Sequence, residues 1–156
     1  MKPFELVIEE QGPALLRFCA ARVGQDRAED CFQETMLAAL RSYGDVRDEK
    51  AVRSWLFTIA TRKSIDMYRS GERTPVPSDQ AELIEGSRAE QQPGAGDIWS
   101  LVAQLPEKQS LALLLRYRGG LGHREVAAVM GISESAARRN AFEGLKRLRA
   151  ESPAWA

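Results

Sequence analysis

The chain predicts an all-α protein of two small helical domains joined by a flexible linker, the second a helix-turn-helix domain. Three observations predict this. Apolar residues recur at helical spacing through most of the 156 residues, with no strand-like alternation of note. A Pro- and Gly-rich, acidic stretch then breaks the pattern, with Pro75, Pro77, Gly86, Pro93, Gly94 and Gly96. Beyond it lies GLGHREVAAVMGISESAARRNAFEGLKRLR, from Gly120 to Arg149: a helix, a short glycine turn and a basic helix. The expected boundaries are residues 1–73 for the first domain, 74–96 for the linker and 97–152 for the second domain.

The first helix spans Phe4 to Val23, apolar at Phe4, Val7, Ile8, Ala14, Leu15, Phe18 and Cys19, with Gly12-Pro13 as a candidate break. Gly24-Gln25-Asp26 reads as a turn, and Asp26 as a cap for a helix from Arg27 to Tyr43. That helix is expected to bury Ala28, Cys31, Phe32, Thr35, Met36, Ala39 and Leu40, and to expose Glu29, Asp30, Gln33 and Glu34. Asp30 and Glu34 stand one turn apart and repel each other unless a partner covers them. The polar run GDVRDEK precedes a third helix from Ala51 to about Ser70. Its apolar contacts come from Val52, Trp55, Leu56, Ile59, Ala60, Ile65 and Met67. Its aromatics Trp55, Phe57 and Tyr68 interleave with Arg53, Arg62, Lys63 and Arg69. Such a mixture suits single-stranded nucleic acid, since bases stack while cations neutralise phosphates. Trp55 and Phe57 also fit a plain core, and for Trp55 the core is preferred.

Within the linker a helical turn around Gln80–Ile84 is conceivable from the pattern. Asp97 is a candidate cap for a helix from Ile98 to Gln104, and Leu105-Pro106 opens the next. Leu111, Leu113, Leu114 and Leu115 make that helix apolar nearly all round, so it is expected at the centre of the second domain. The following helix places Val126, Ala127, Val129 and Met130 on one face and ends at Gly131, where glycine adopts the left-handed cap at little cost. Ser133 is the expected cap of the last helix. Locally, the pair fits a basic helical hairpin as well as a DNA reader.

Composition narrows the function classes. With 44% apolar residues the chain holds real cores. Formal net charge is zero, but residues 76–97 hold 1 basic and 5 acidic side chains, while residues 98–156 hold 9 basic and 5 acidic. A basic C-terminal part suits phosphate. Cys19 and Cys31 lie in apolar helical contexts and read as buried thiols of a cytoplasmic protein. No run approaches the roughly 20 apolar residues of a membrane span. His123 is the sole histidine. No metal-ligand spacing, phosphate loop with a lysine, or nucleophile motif is present, so neither a metal, a cofactor nor an enzyme is expected.

Three segments read together carry a resemblance: AEDCFQETMLAALRSY, then SWLFTIATRKSIDMYR, then LPEKQSLALLLRYRGGLGHREVAAVMGISESAARRNAFEGLKRLR. In that order the chain resembles a bacterial RNA polymerase sigma factor of the extracytoplasmic-function group, a sigma-70 protein with regions two and four only. The resemblance covers Phe4 to Arg149 apart from the linker. It implies that Asp30, Gln33 and Glu34 dock on core RNA polymerase. It implies that Trp55, Arg62, Lys63, Asp66 and Arg69 face the −10 element, where the non-template strand is separated and a base is flipped. It implies that Ser133, Ser135, Arg138, Arg139, Asn140 and Lys146 face the −35 element in the major groove. Promoter DNA and core RNA polymerase are the implied partners, and an anti-sigma protein is a further one.

The chain departs from that family at two places. Arg62 stands where the family commonly has asparagine. The recognition helix reads Ala136-Ala137-Arg138-Arg139-Asn140 in place of the usual Thr-Val-Lys-Ser-Arg, and Glu143 and Leu145 replace later basic positions. Arginine suits guanine and asparagine suits adenine in bidentate geometry. The alternatives are a helix-turn-helix regulator that does not recruit polymerase, which has no need of Asp30, Gln33, Glu34 or the Trp55–Arg69 run, and an all-α adaptor indifferent to loss of Arg138, Arg139 and Lys146.

Overall fold

The structure, a computed structural model, describes residues 1–73 and 95–151. Seven α-helices and two single 3-10 turns make up the described residues, with no strand among them. They are α1 (Phe4–Val23), α2 (Gln25–Ser42), α3 (Val52–Arg73), α4 (Ala95–Gln104), α5 (Glu107–Tyr117), α6 (His123–Met130) and α7 (Glu134–Glu151). Residues 74–94 of the expected linker, with the turn expected around Gln80–Ile84, lie outside the described residues, and α4 starts two residues inside the expected linker, at Ala95.

α1 runs through Gly12-Pro13 without the expected break. Proline removes one helical N–H and crowds the carbonyl one turn back, which costs about 3 kcal/mol in a helix interior. Here Glu9 and Pro13 are both exposed, so the released carbonyl lies on a solvated face. The opposite face buries Val7, Gly12, Leu15, Phe18, Cys19 and Val23, and that packing holds the helix through the defect. The turn to α2 is one residue long. Gly24 has φ 90°, ψ 162°, a backbone that an L side chain rarely adopts, and its N–H donates to the Ala20 carbonyl at 2.9 Å. α2 therefore starts two residues before the sequence places it. Asp26 serves as a first-turn acid complementing the helix dipole rather than as the cap.

α2 buries Ala28, Cys31, Thr35, Met36 and Ala39, as the periodicity predicts. Leu40 departs from that prediction: it is 59% exposed, and Leu37 is 50% exposed. α1 and α3 cover only one side of α2, and both leucines lie off it. The two thiols are buried against each other between α1 and α2. Hydrogen bonding to Cys31, reinforced by burial, pushes the Cys19 thiol up. The same bond from Cys19 pulls Cys31 down, with help from the Thr35 hydroxyl and the Arg22 and Arg27 guanidinia, against the opposing effect of burial.

The C-terminal helices are built on α5, whose residues Ser110 to Leu115 are all buried. α7 crosses it at Gly144. A Cβ there would come within 2.8 Å of Leu113 Cδ1, so glycine permits a close approach whose packing offsets its poor helix propensity. Gly131 ends α6 at φ 67°, ψ 34°, and the Ile132 N–H bonds back to the Ala127 carbonyl at 3.1 Å. Ser133 Oγ accepts from the Ala136 N–H at 3.1 Å, the predicted cap.

The two groups of helices join through α3. Phe57, fully buried, meets Phe18 at 5.4 Å in an edge-on arrangement and also lies against Gly119, after α5. A Cβ on Gly119 would sit 2.8 Å from both Phe57 Cε1 and the Leu115 carbonyl oxygen. Beside this contact Arg53 of α3 grips Glu125 of α6 through two bonds, Nε to Oε2 at 2.8 Å and a terminal nitrogen to Oε1 at 2.5 Å. Arg22 of α1 reaches Glu107 of α5 at 2.9 Å while its Nε donates to Ser64 Oγ at 3.0 Å.

Candidate functional site

Three surfaces carry the residues singled out in the sequence. The first is the free face of α2. Asp30, Gln33 and Glu34 are all exposed. Leu37 follows Gln33 by one turn and Leu40 by two, so both continue the same face. An acidic cluster next to two exposed leucines makes this an amphipathic face, with both charge and apolar area open to solvent. Leu40 was missed because the apolar stripe of α2 was drawn too wide, and Leu37 because it was assigned to neither face. Their spacing from Gln33 was the available signal.

The second surface is α3. Trp55, Arg62, Asp66 and Arg69 fall on one stripe of this continuous helix, since their spacings of three, four and seven residues keep a common direction. Arg62, Asp66 and Arg69 are exposed. Trp55 is half-buried at the end of an aromatic row: its ring centroid is 6.2 Å from Tyr43, which is 5.2 Å from Phe4. The Tyr43 hydroxyl donates to the Lys2 carbonyl and fixes that row. Trp55 is thus held by packing while keeping one accessible side. Phe57 belongs wholly to the core, and Tyr68 is exposed off the stripe. Lys63 turns towards α2, with its ammonium 4.0 Å from Glu34, so the structure joins a residue of the second set to one of the first.

The third surface is the outer face of α7. Ser135, Arg138, Arg139 and Lys146 are exposed along it. Arg138 donates to Glu134 at 3.1 Å, a surface pair one turn apart that is easily exchanged for another anion. Arg139 and Lys146 make no ion pair among the described residues. Ser133 is occupied as the helix cap. Asn140 is half-buried, and its amide donates to the Ala136 carbonyl at 3.0 Å, which turns it away from the outer face. The sequence did not disclose that bond, nor that Phe142 stands exposed within the basic stripe.

His123, at the start of α6, has its Nδ1 buried without a partner among the described residues. Burial pushes its pKa down, and Arg116 and Arg138 add to this against Glu134. Among the described residues no group of three or more His, Cys, Asp or Glu is placed to hold a metal ion, and no helix is long and apolar enough to cross a membrane.

Comparison with known proteins matches two segments of the chain to family descriptions. Residues 7–74 match "Sigma-70 region 2" and residues 95–148 match "Sigma-70, region 4". An ECF RNA polymerase sigma factor of Streptomyces griseus, ShbA, is 33% identical over 155 residues, covering 88% of this chain and 81% of its own. Two solved structures share the fold. The sigma factor RpoE of Bartonella quintana, in complex with the anti-sigma factor NepR, aligns with a TM-score of 0.76 at 21% identity over 96% of both chains. CnrH, in complex with the cytosolic domain of CnrY, aligns with a TM-score of 0.72 at 23% identity, over 98% of this chain and 89% of its own.

Proposed function

From the premise that this chain belongs to the sigma-70 family, in its ECF group, we infer a transcription initiation factor that binds core RNA polymerase and directs it to promoters. The observation that carries this reading is the coexistence of two kinds of exposed surface on one chain. A plain DNA-binding regulator needs the outer face of α7 and has no use for an acidic face edged with leucines on α2. Core RNA polymerase and promoter DNA are its partners.

The finer assignments follow from chemistry. Asp30, Gln33 and Glu34 dock on the polymerase, with Leu37 and Leu40 adding apolar area. Arg62, Asp66 and Arg69, with the accessible side of Trp55 and with Lys63 at the edge, take the separated −10 strand: cations hold phosphates and the indole offers a stacking face. Arg62, at a position where the family commonly has asparagine, brings a cation to that strand. Ser135, Arg138, Arg139 and Lys146 take the −35 duplex. Ser133 positions α7 by capping it, and Asn140 supports its geometry. We assign the chain no covalent chemistry of its own: it directs an enzyme. Regions 1–73 and 97–152 act as its two modules, in the cytoplasm, and an anti-sigma protein is a natural regulator.

Run-off transcription with purified core polymerase on a pool of promoters tests the reading. Defined start sites that depend on this chain are expected. Replacing Gln33 and Glu34 by alanine is expected to weaken polymerase binding while circular dichroism stays unchanged. Binding to promoter duplex without any recruitment of polymerase would refute the assignment in favour of a regulator.

A further inference from the structure

Phe142 is 62% exposed, the highest value for any large apolar side chain exposed among the described residues. The helix gives it no internal reason to be there. α7 buries Ala137, Ala141, Gly144 and Leu148 on one side, and at 3.6 residues per turn Phe142 points to the other. Ser135, Arg138, Arg139 and Phe142 have the spacing i, i+3, i+4 and i+7, which lines up one stripe over two turns, about 10 Å long. This is about three base-pair steps, and side chains at this spacing on a recognition helix read the bases of a major groove. Lys146 and Arg149 continue the stripe, both exposed. The ring is therefore flanked on both ends by cations that draw it to a polyanion. At the same time Asn140, the neighbouring candidate for adenine, has its amide bound to its own helix.

We propose that Phe142 is a specificity residue of α7 that reads the 5-methyl group of a thymine in the major groove. The methyl group is the one apolar feature a base pair shows in that groove, and an exposed aromatic ring is a suitable partner for it. Recognition of the upstream element is then divided between hydrogen bonding by Arg138 and Arg139 and one apolar contact by Phe142. The proposal rests on the reading of α7 as the −35 reader.

The test uses the full chain assembled with core polymerase, on a promoter taken from the transcription pool. Each thymine of the upstream element is replaced in turn by deoxyuridine, which keeps every hydrogen-bonding edge and lacks only the methyl. One position is expected to lose about three- to fivefold in binding, the worth of burying one methyl group. Phe142→Ala is expected to bring the thymine-to-uracil ratio at that position to about one, and Phe142→Leu to retain part of it. A selected element without thymine, a ratio of one at every position, or a ratio that Phe142→Ala leaves unchanged overturns the proposal while leaving the −35 reading in place. Failure of the −35 reading itself looks different: scrambling the whole element and Arg138→Ala would both leave binding unaltered. Weakened assembly with polymerase by Phe142→Ala, at a constant thymine-to-uracil ratio, would make the ring a protein contact and refute the thymine role.

Discussion

Removing the Arg53–Glu125 pair tests how firmly the two groups of helices hold each other. The pair joins α3 to α6 through two bonds, and the side chains are 37% and 25% exposed. Charge-assisted hydrogen bonds contribute about 1.5–3 kcal/mol when well buried, and exposed pairs contribute about 0.2–1 kcal/mol. Partial exposure here argues for discounting the first range, leaving about 1 kcal/mol of coupling. Glu125 has a second task, since Oε1 also accepts from the Gly122 N–H at 3.1 Å and closes the start of α6. Glu125→Ala is therefore expected to cost about 1 kcal/mol more than Arg53→Ala. The assay is a double-mutant cycle by urea unfolding of the full chain, repeated in 1 M salt. The coupling should be about 1 kcal/mol at low salt and shrink in high salt. Coupling within about 0.3 kcal/mol of zero at low salt would refute the reasoning. A pH series gives an independent check. The Arg53 hydrogen bond holds the Glu125 carboxyl below its ordinary value, aided by the Gly122 N–H and opposed by burial. A depressed carboxylate stabilises fully above its unfolded pKa of about 4.3, and that contribution disappears as pH falls through the lower folded value. Arg53, raised by the same bond, stays charged throughout. Wild type should thus lose its advantage over Glu125→Gln on acidification and keep it at neutral pH.

Leu37→Ser with Leu40→Ser should weaken core polymerase binding about tenfold or more, the loss of two buried leucines at an interface, while the thermal midpoint stays put because both side chains are exposed in the free protein. Gly119→Ala should destabilise the chain by about 1–3 kcal/mol, since its Cβ meets the Leu115 carbonyl as well as the Phe57 ring; an unchanged midpoint would sink the close-packing argument. Arg138→Ala should cost about 1–3 kcal/mol at the upstream duplex with loss of sequence preference. Asn140→Ala should leave that preference intact, and a changed base preference would restore Asn140 as a reader.

Much of this could be read from residue order because it depends on neighbours within one turn of helix. The Gly131 cap and the Ser133 cap are decided by backbone conformation and one hydroxyl, both local. The leucine run of α5 has no polar face to expose, so its place at the centre of the C-terminal helices followed directly. Asp30, Gln33 and Glu34 are exposed because charged and amide groups lose hydration when buried. The family itself was legible because three segments occur in order, and each segment is a local pattern.

Where the reading failed at Pro13 and Leu40, the deciding atoms were distant in sequence. Pro13 does not break α1, because burial against α2 outweighs one missing bond on the solvated side. Leu40 is periodic with the core of α2, yet periodicity states only which way a side chain points and not how wide a neighbour is. α1 and α3 cover less of α2 than its apolar stripe offers, and the uncovered Leu40, with Leu37 beside it, falls next to the acidic cluster. Asn140 looks the same in sequence whether its amide bonds a base or its own helix.

Sequence by itself determined the helices, the caps of the helix-turn-helix, the basic character of α7 and the membership of a family. Tertiary structure alone decided that Phe57 closes against Gly119 and that Arg53 spends its guanidinium on Glu125. The physical reason is range. Helix formation and capping are settled over a few residues, whereas what covers a face, and what it is left free to touch, is settled by surfaces that meet only once the chain has folded.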